Sequence, residues 1–310
     1  MGGWSSVKAI LVLSSFVMVV TFGQQIVILI GGFDMSIASV MTLGGVLTFA
    51  WAGRAPVTLV WVIPLVLLIS GLVGAVSGLG VTHLRVPPFI MTLATGIVVY
   101  GAVLGITGGT PRGVPVPALS ALFASRGLGV PYIIYFMIAF AVLASLLQMR
   151  TPFGRRLYAL GSSAPAAYIA GLSVRRLTIV TYAVSAAASA LAGVMMVGYA
   201  GGATLSMGDG YLLPSIAAAV VGGTSILGGR GSYPGAVGGA VLLTTLSTII
   251  SSLGIAQGWR TVLYGLVILI ALLALRDELY VWANRTWASL RPNAAVQQHA
   301  SPITHERTKQ

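Results

Sequence analysis

A chain of 310 residues that is 57% hydrophobic and only 7% charged is not an ordinary soluble domain, since such domains are about 25% charged. Its net charge of +12 does not signal nucleic-acid binding, because the arginines sit in short loops between apolar runs and no separate basic domain exists. With no cysteine, disulfides, thiol catalysis and thiolate metal sites are excluded.

Several apolar runs reach the roughly 20 residues that a spanning helix needs. The chain therefore reads as an all-α integral membrane protein. Nine transmembrane helices are predicted, at 9–30, 37–51, 57–79, 88–107, 132–147, 177–197, 212–227, 234–253 and 261–275. The second and seventh are short, as expected of helices that break or enter the bilayer only in part. The first run is too long for a signal peptide, and no small-residue cleavage site separates it from the second.

Between the first two spans lies Gly31-Gly32-Phe33-Asp34-Met35-Ser36, whose aspartate is the only acid among the first 200 residues. Two readings apply. Asp34 caps the next helix, which is the preferred one, or it meets a polar substrate with Ser36 at a broken helix end. Further on, the Pro- and Gly-rich loop 108–131 is either a landing surface for an external partner or a plain connector.

The middle of the chain, 150–176, reads as a turn-rich basic loop with five arginines and no acid. Each arginine would cost roughly 2.5–3.5 kcal/mol at mid-bilayer on insertion scales, so the segment faces water, and the cytoplasm is its predicted side. Within it, 162–171 reads as one short helix, with serine as N-cap, Pro165 in the first turn and Gly171 in the left-handed C-terminal position. Held at the surface by flanking arginines, it looks presented to a partner. With the loops bearing Arg85 and Arg230 and the C-terminal tail on the same side, only Lys8, Arg54, Arg112, Arg126 and Arg260 of the 17 Lys and Arg residues face the other way. The C-terminus is thus predicted cytoplasmic and the N-terminus external, with a span missing upstream or a misplaced start as the explanation. Residues 277–310 read as a basic, largely disordered tail.

Gly201-Gly202 follows the sixth span on the side opposite Gly31-Gly32. An inverted-topology repeat is one reading; chance recurrence in a chain with 40 glycines is the other. In the glycine-dense stretch 217–236, the Gly-Lys-Ser or Gly-Lys-Thr of a nucleotide loop is missing. Gly222, Gly223, Gly228 and Gly229 are therefore assigned to helix breaking and close packing.

An enzyme reading finds no support, because His83, His299 and His305 lie far apart and no hydrolase or metalloprotease motif occurs. An ion-coupled carrier would need carboxylates in its spans, and only Asp34 and Asp209, near helix ends, come close. Energy for transport would have to come from another subunit.

Four blocks together carry a family resemblance: Gly31–Ser39, Val86–Thr95, the basic segment from Arg150 to Gly161 with Gly171 and Arg175-Arg176, and Ile216–Gly231. In the same order they resemble the ribose-type permeases of bacterial ABC importers, over about residues 20–275. Branched-chain amino acid permeases share the broader architecture and are the nearest rival. The resemblance implies a permease subunit, residues 1–276, in the bacterial inner membrane. It implies as partners a second permease chain, two cytoplasmic ATP-binding cassette subunits, a periplasmic solute-binding protein and membrane lipid, and it implies no cofactor. It places the coupling helix at Ala164, Pro165, Ala166, Tyr168, Ile169, Ala170 and Gly171, with Arg155 and Arg156 alongside. The translocation path is placed at Gly31, Gly32, Asp34 and Ser36 with Phe89, Thr92 and Thr95. Family members usually have ten spans, and the first is the one missing. Where many members carry acids after a Gly-Tyr pair, this chain has Leu212 and Leu213.

Overall fold

The computed structural model describes residues 3–254 and 256–274. Its helices are α1 (Gly3–Leu29), α2 (Ile37–Trp51), α3 (Leu59–Thr82), α4 (Pro88–Thr107), α5 (Pro117–Phe123), α6 (Tyr132–Arg150), α7 (Pro152–Ser162), α8 (Ala164–Ile169), α9 (Val174–Ala200), α10 (Leu212–Val221), α11 (Tyr233–Ser252) and α12 (Gln257–Ala274). A two-stranded antiparallel hairpin, β1 (Arg126–Gly127) and β2 (Val130–Pro131), follows α5. Among the described residues six helices are long and apolar enough to cross a membrane, and α2, α10 and most of α12 are shorter apolar helices. Together they correspond one for one to the predicted spans. The expected tail, 277–310, lies outside the described residues.

The bundle is organised around α9, which packs on α1, α2 and α3. Close approach explains much of the glycine content. A Cβ on Gly44 would sit 2.6 Å from the Ala190 Cα, one on Gly78 would sit 2.6 Å from the Ile179 Cα, and one on Gly23 would sit 2.8 Å from the Ser185 carbonyl oxygen. In a membrane, where lipid tails are as apolar as leucine, such tight backbone contact is a main source of helix association.

Those contacts fix direction. Phe16 meets Tyr199 while Gly23 meets Ser185, so α1 and α9 are antiparallel. Both are 27 residues long, and each is followed by a left-handed glycine, Gly31 at φ 78° and Gly201 at φ 75°. The short helix after each lies along the long helix of the other half. Asp34 and Gly44 meet Ser185 and Ala190, so α2 runs parallel to α9. Tyr211 meets Phe16, and Ile28 shares a buried cluster with Ile216, Ala219 and Val220, so α10 runs parallel to α1. This reciprocal arrangement is the inverted repeat.

Three expectations are corrected. The seventh span does not reach residue 227: α10 stops at Val221, because the Gly222 backbone is wedged against Gly235 and Ala236 and the chain turns at Gly223, φ 87°. The basic segment is not mainly turns. Thr151 caps α7, its hydroxyl accepting from the Gly154 amide at 3.4 Å, and Pro152 opens the first turn. That helix buries Leu157 and Leu160 while Arg155 and Arg156 face outward. The helix expected over 162–171 is shorter, since Ser162 closes α7 and Ser163 caps α8.

Candidate functional site

Two places carry chemistry: a polar cluster deep in the bundle, and the surface at the end that bears the basic segment. Ser185 lies 11 residues into α9 (185 − 174), or about 17 Å along it at 1.5 Å per residue. Asp34 meets it there, so α2 starts well inside the bundle. The carboxylate is 1% exposed. Its Oδ1 accepts from the Ser36 amide at 3.0 Å and from the Ser36 hydroxyl at 2.5 Å, and its Oδ2 accepts from the Ser185 hydroxyl at 2.8 Å. The local part is an Asx turn into α2, with Ser36 in the N-cap position. The contact to Ser185 braces that turn against the other half of the molecule.

Further bonds close the cluster. The Met35 amide donates to Thr92 Oγ1 at 2.9 Å, Ser77 Oγ donates to Thr95 Oγ1 at 3.0 Å, and the Tyr182 hydroxyl donates to the Phe33 carbonyl at 3.4 Å. A Cβ on Gly32 would lie 2.5 Å from the Tyr182 hydroxyl oxygen. The fold thus brings together Gly32, Asp34, Ser36, Thr92 and Thr95, and leaves Gly31 exposed at the end of α1. Phe89, 51% exposed, is not drawn in. Ser77, Tyr182 and Ser185 were not picked out from the sequence. Their only signal is a hydroxyl on a helix otherwise built of small and apolar residues.

A second buried network ties α1, α6 and α11. Gln148 Nε2 donates to Gln25 Oε1 at 3.0 Å, the Tyr233 amide donates to Gln148 Oε1 at 2.6 Å, and the Tyr233 hydroxyl donates to the Met18 carbonyl at 3.0 Å. Among the described residues no three His, Cys, Asp or Glu side chains lie close enough together to hold a metal ion.

At the basic end, α8 is a single short helix with firm local chemistry. Ser163 Oγ accepts from the Ala166 amide at 3.3 Å, and the Leu172 amide returns to the Ala167 carbonyl at 3.0 Å around Gly171, φ 80°. Ala167 alone is buried in it. Ala164, Pro165, Ala166, Ala170 and Gly171 are exposed. Tyr168 is 74% and Ile169 85% exposed, two apolar bodies with no cover. Arg175 and Arg176 line a surface hollow with Tyr168, Arg156 lines another beside Gly171, and Arg155 lies on the outer face of α7, all four being exposed.

This surface is not isolated from the bundle. The Tyr158 hydroxyl donates to the Gly231 carbonyl at 2.6 Å, and the Gly229 amide donates to the Leu29 carbonyl at 2.9 Å. Burial pushes the Tyr158 phenol up from its ordinary range, which keeps it a donor. Gly228, φ 87°, and Gly229, φ 72°, let the turn slip between α7 and the end of α1. The glycine-rich turn is therefore a joint between elements.

A polytopic helical bundle with two inverted helix breaks, a polar core at one of them and a short exposed helix among arginines describes a membrane permease. The chain belongs to the branched-chain amino acid transport system / permease component family, which matches residues 6–272. Among curated proteins it is similar to the ribose import permease protein RbsC of Haemophilus influenzae, 38% identical over 83% of this chain and 80% of that one. RbsC of Escherichia coli K12 is 32% identical over 82% of this chain and 80% of its own length. The D-allose transport system permease protein AlsC of the same strain is 28% identical over 86% and 82%. No solved structure gives a significant match.

Proposed function

We propose that the chain is the permease subunit of an ATP-binding cassette importer that carries a monosaccharide across the bacterial inner membrane. Sustained similarity to ribose import and D-allose transport system permeases along most of the chain supports the sugar. The observation that carries the importer reading is α8: an apolar, capped helix offered to a partner among arginines. That partner is one of two cytoplasmic ATPase subunits, which hydrolyse the ATP while this chain does no chemistry. A second permease chain and a periplasmic solute-binding protein complete the assembly. The basic end is cytoplasmic, as is the tail after residue 276.

In this reading ATP-driven movement of α8 passes through α7 to the Gly229–Leu29 contact, and so to the end of α1 and the break after it. The path runs by Gly31, Gly32, Asp34, Ser36, Thr92 and Thr95, where α2 and α4 meet inside the bundle. The family's description favours a second reading, branched-chain amino acids as cargo.

Reconstitution with the partner ATPases and binding protein in proteoliposomes tests both. Radiolabelled D-ribose, D-allose, D-galactose and L-leucine are offered with and without ATP. Sugar uptake that needs ATP is expected. Leucine uptake alone moves the protein to the amino acid branch, and uptake by the isolated chain without ATP overturns the importer reading. Ile169→Asp should leave the permease folded and strip the ATPase from it during purification. Retention of the ATPase would remove α8 from the interface.

A further inference from the structure

In the half of the bundle opposite the basic segment, α11 and α12, with Leu13 and Val17 of α1 and the start of α10, line a partly open cavity of about 330 Å³, within the size range of small-molecule sites. One wall is a ladder of hydroxyls on α11, formed by Thr244, Ser247, Thr248 and Ser251. Their spacing of three, four and seven residues places them on a single face of the helix, descending about 10 Å from the mouth to Thr244. Tyr211, Tyr264 and Arg260 face them.

The ladder differs from the other hydroxyls of the same helix. Thr245 bonds back to the Val241 carbonyl at 2.8 Å and Ser252 to the Ile249 carbonyl at 2.7 Å, the usual way a helix satisfies a hydroxyl in an apolar setting. On the ladder only Thr248 does so, to the Thr244 carbonyl at 2.8 Å. Thr244 Oγ1 is buried without a partner, on a residue 7% exposed, and Arg260 Nε is likewise buried and unpartnered. Ser247 and Ser251 have no side-chain partner among the described residues. Buried polar atoms are rarely left unpaired in a native protein, so convergent orphans lining one cavity mark a place for a polar ligand.

We propose that this cavity is a polyol-binding vestibule, the first subsite that a monosaccharide meets in the permease. The proposal rests on the sugar-import reading and on the basic end being cytoplasmic. Each serine or threonine hydroxyl both donates and accepts, as does each hydroxyl of a sugar, and a guanidinium adds donors only. The tyrosine rings, with Leu13, Val17 and Pro214 on the other walls, suit the C–H faces of a sugar ring. An anion would find one cation among neutral hydroxyls. A neutral polyol matches the whole lining.

The natural absence of cysteine makes a direct test available. In the complete importer, Ser247→Cys and, as control, Ser252→Cys are modified with a membrane-impermeant methanethiosulfonate reagent, and labelling is read on the permease band. Millimolar D-ribose, D-allose or D-galactose, whichever the wild-type complex imports, should slow labelling at position 247 by about threefold or more, by occupancy alone. Position 252 should be unaffected, as should position 247 when glycine betaine replaces the sugar. In parallel, Thr244→Val and Arg260→Gln should lower the maximal uptake rate while ATPase activity stimulated by the binding protein persists. Equal labelling with and without sugar, in a complex that imports sugar, overturns the vestibule and leaves the importer reading intact. A wild-type complex that imports none of the sugars removes both.

Discussion

The two helix breaks of this molecule begin alike and end differently. Each follows a 27-residue helix, and each turns on a left-handed glycine with another glycine behind it. The first break is sealed: Asp34, Phe33 and Met35 are tied to Ser185, Tyr182 and Thr92 from two other helices, α9 and α4. The second is held over a shorter stretch, where Met207 and Gly208 pack against Gly45 and Ala38 of α2. Nothing lies within 4 Å of where a Gly202 Cβ would be, Asp209 is exposed, and the Gly208 amide, donating to Thr42 Oγ1 at 3.2 Å, is a buried tether. One local design thus serves as a brace in one half. In the other half it frames an open cavity, since Gly210 and Tyr211 line the vestibule.

The largest expected contrast is between the two aspartates. Asp34→Leu strands the Ser36 amide and hydroxyl and the Ser185 hydroxyl, at a cost of about 3 kcal/mol. Asp209→Leu, at an exposed site, should cost no more than about 0.5 kcal/mol. Reversible unfolding in mixed micelles, followed by tryptophan fluorescence, measures both, and equal losses would erase the distinction between the breaks.

The second glycine of each pair offers a sharper contrast. Gly32→Ala should cost about 2 kcal/mol by crowding the Tyr182 hydroxyl, with part recovered in the double variant with Tyr182→Phe. Gly202→Ala should be near neutral. A thermal-shift series in detergent reads these three variants, Tyr182→Phe alone and the unsubstituted protein, and additivity between Gly32→Ala and Tyr182→Phe would show that the two do not touch.

Removing the tether of the second break, by Thr42→Val, leaves the Gly208 amide unpaired and should cost about 1 kcal/mol. Amide hydrogen exchange should quicken at 205–211 and stay unchanged at 31–36. The smallest difference is expected for Gly31→Ala against Gly201→Ala. Both impose a side chain on a left-handed backbone, for about 1 kcal/mol each. Unequal losses in the same unfolding assay would mean that the repeat is less regular than the matched φ values indicate.

The spans and α8 were legible because their signals are local. Apolar length, Pro165 in a first turn and Gly171 past a last one all act within a few residues. Helix α7 was missed because its apolar positions, Leu157 and Leu160, are few among arginines and small residues and read as part of a basic loop. The end of α10 was misplaced because Ile226 and Leu227 were counted with the span. The helix stops at Val221, where Gly222 packs against Gly235 and Ala236 of α11 and Gly223 turns at φ 87°. Asp34 was noticed for its rarity, but Ser185 is 151 residues away and looks like any serine in a small-residue helix.

By itself the sequence determined that this protein is a helical membrane permease, where its apolar helices lie, and which short helix is exposed at the surface. Hydropathy and turn chemistry are properties of neighbouring residues, and the family blocks are read in order along the chain. Tertiary structure alone decided that the two halves are reciprocal, that one break is braced by Ser185, Tyr182 and Thr92, and that the α11 hydroxyls converge with Arg260 on one cavity. Those outcomes depend on which helix backbones approach closely enough to meet. That is settled by glycines matched across the bundle, such as Gly44 against Ala190 and Gly23 against Ser185.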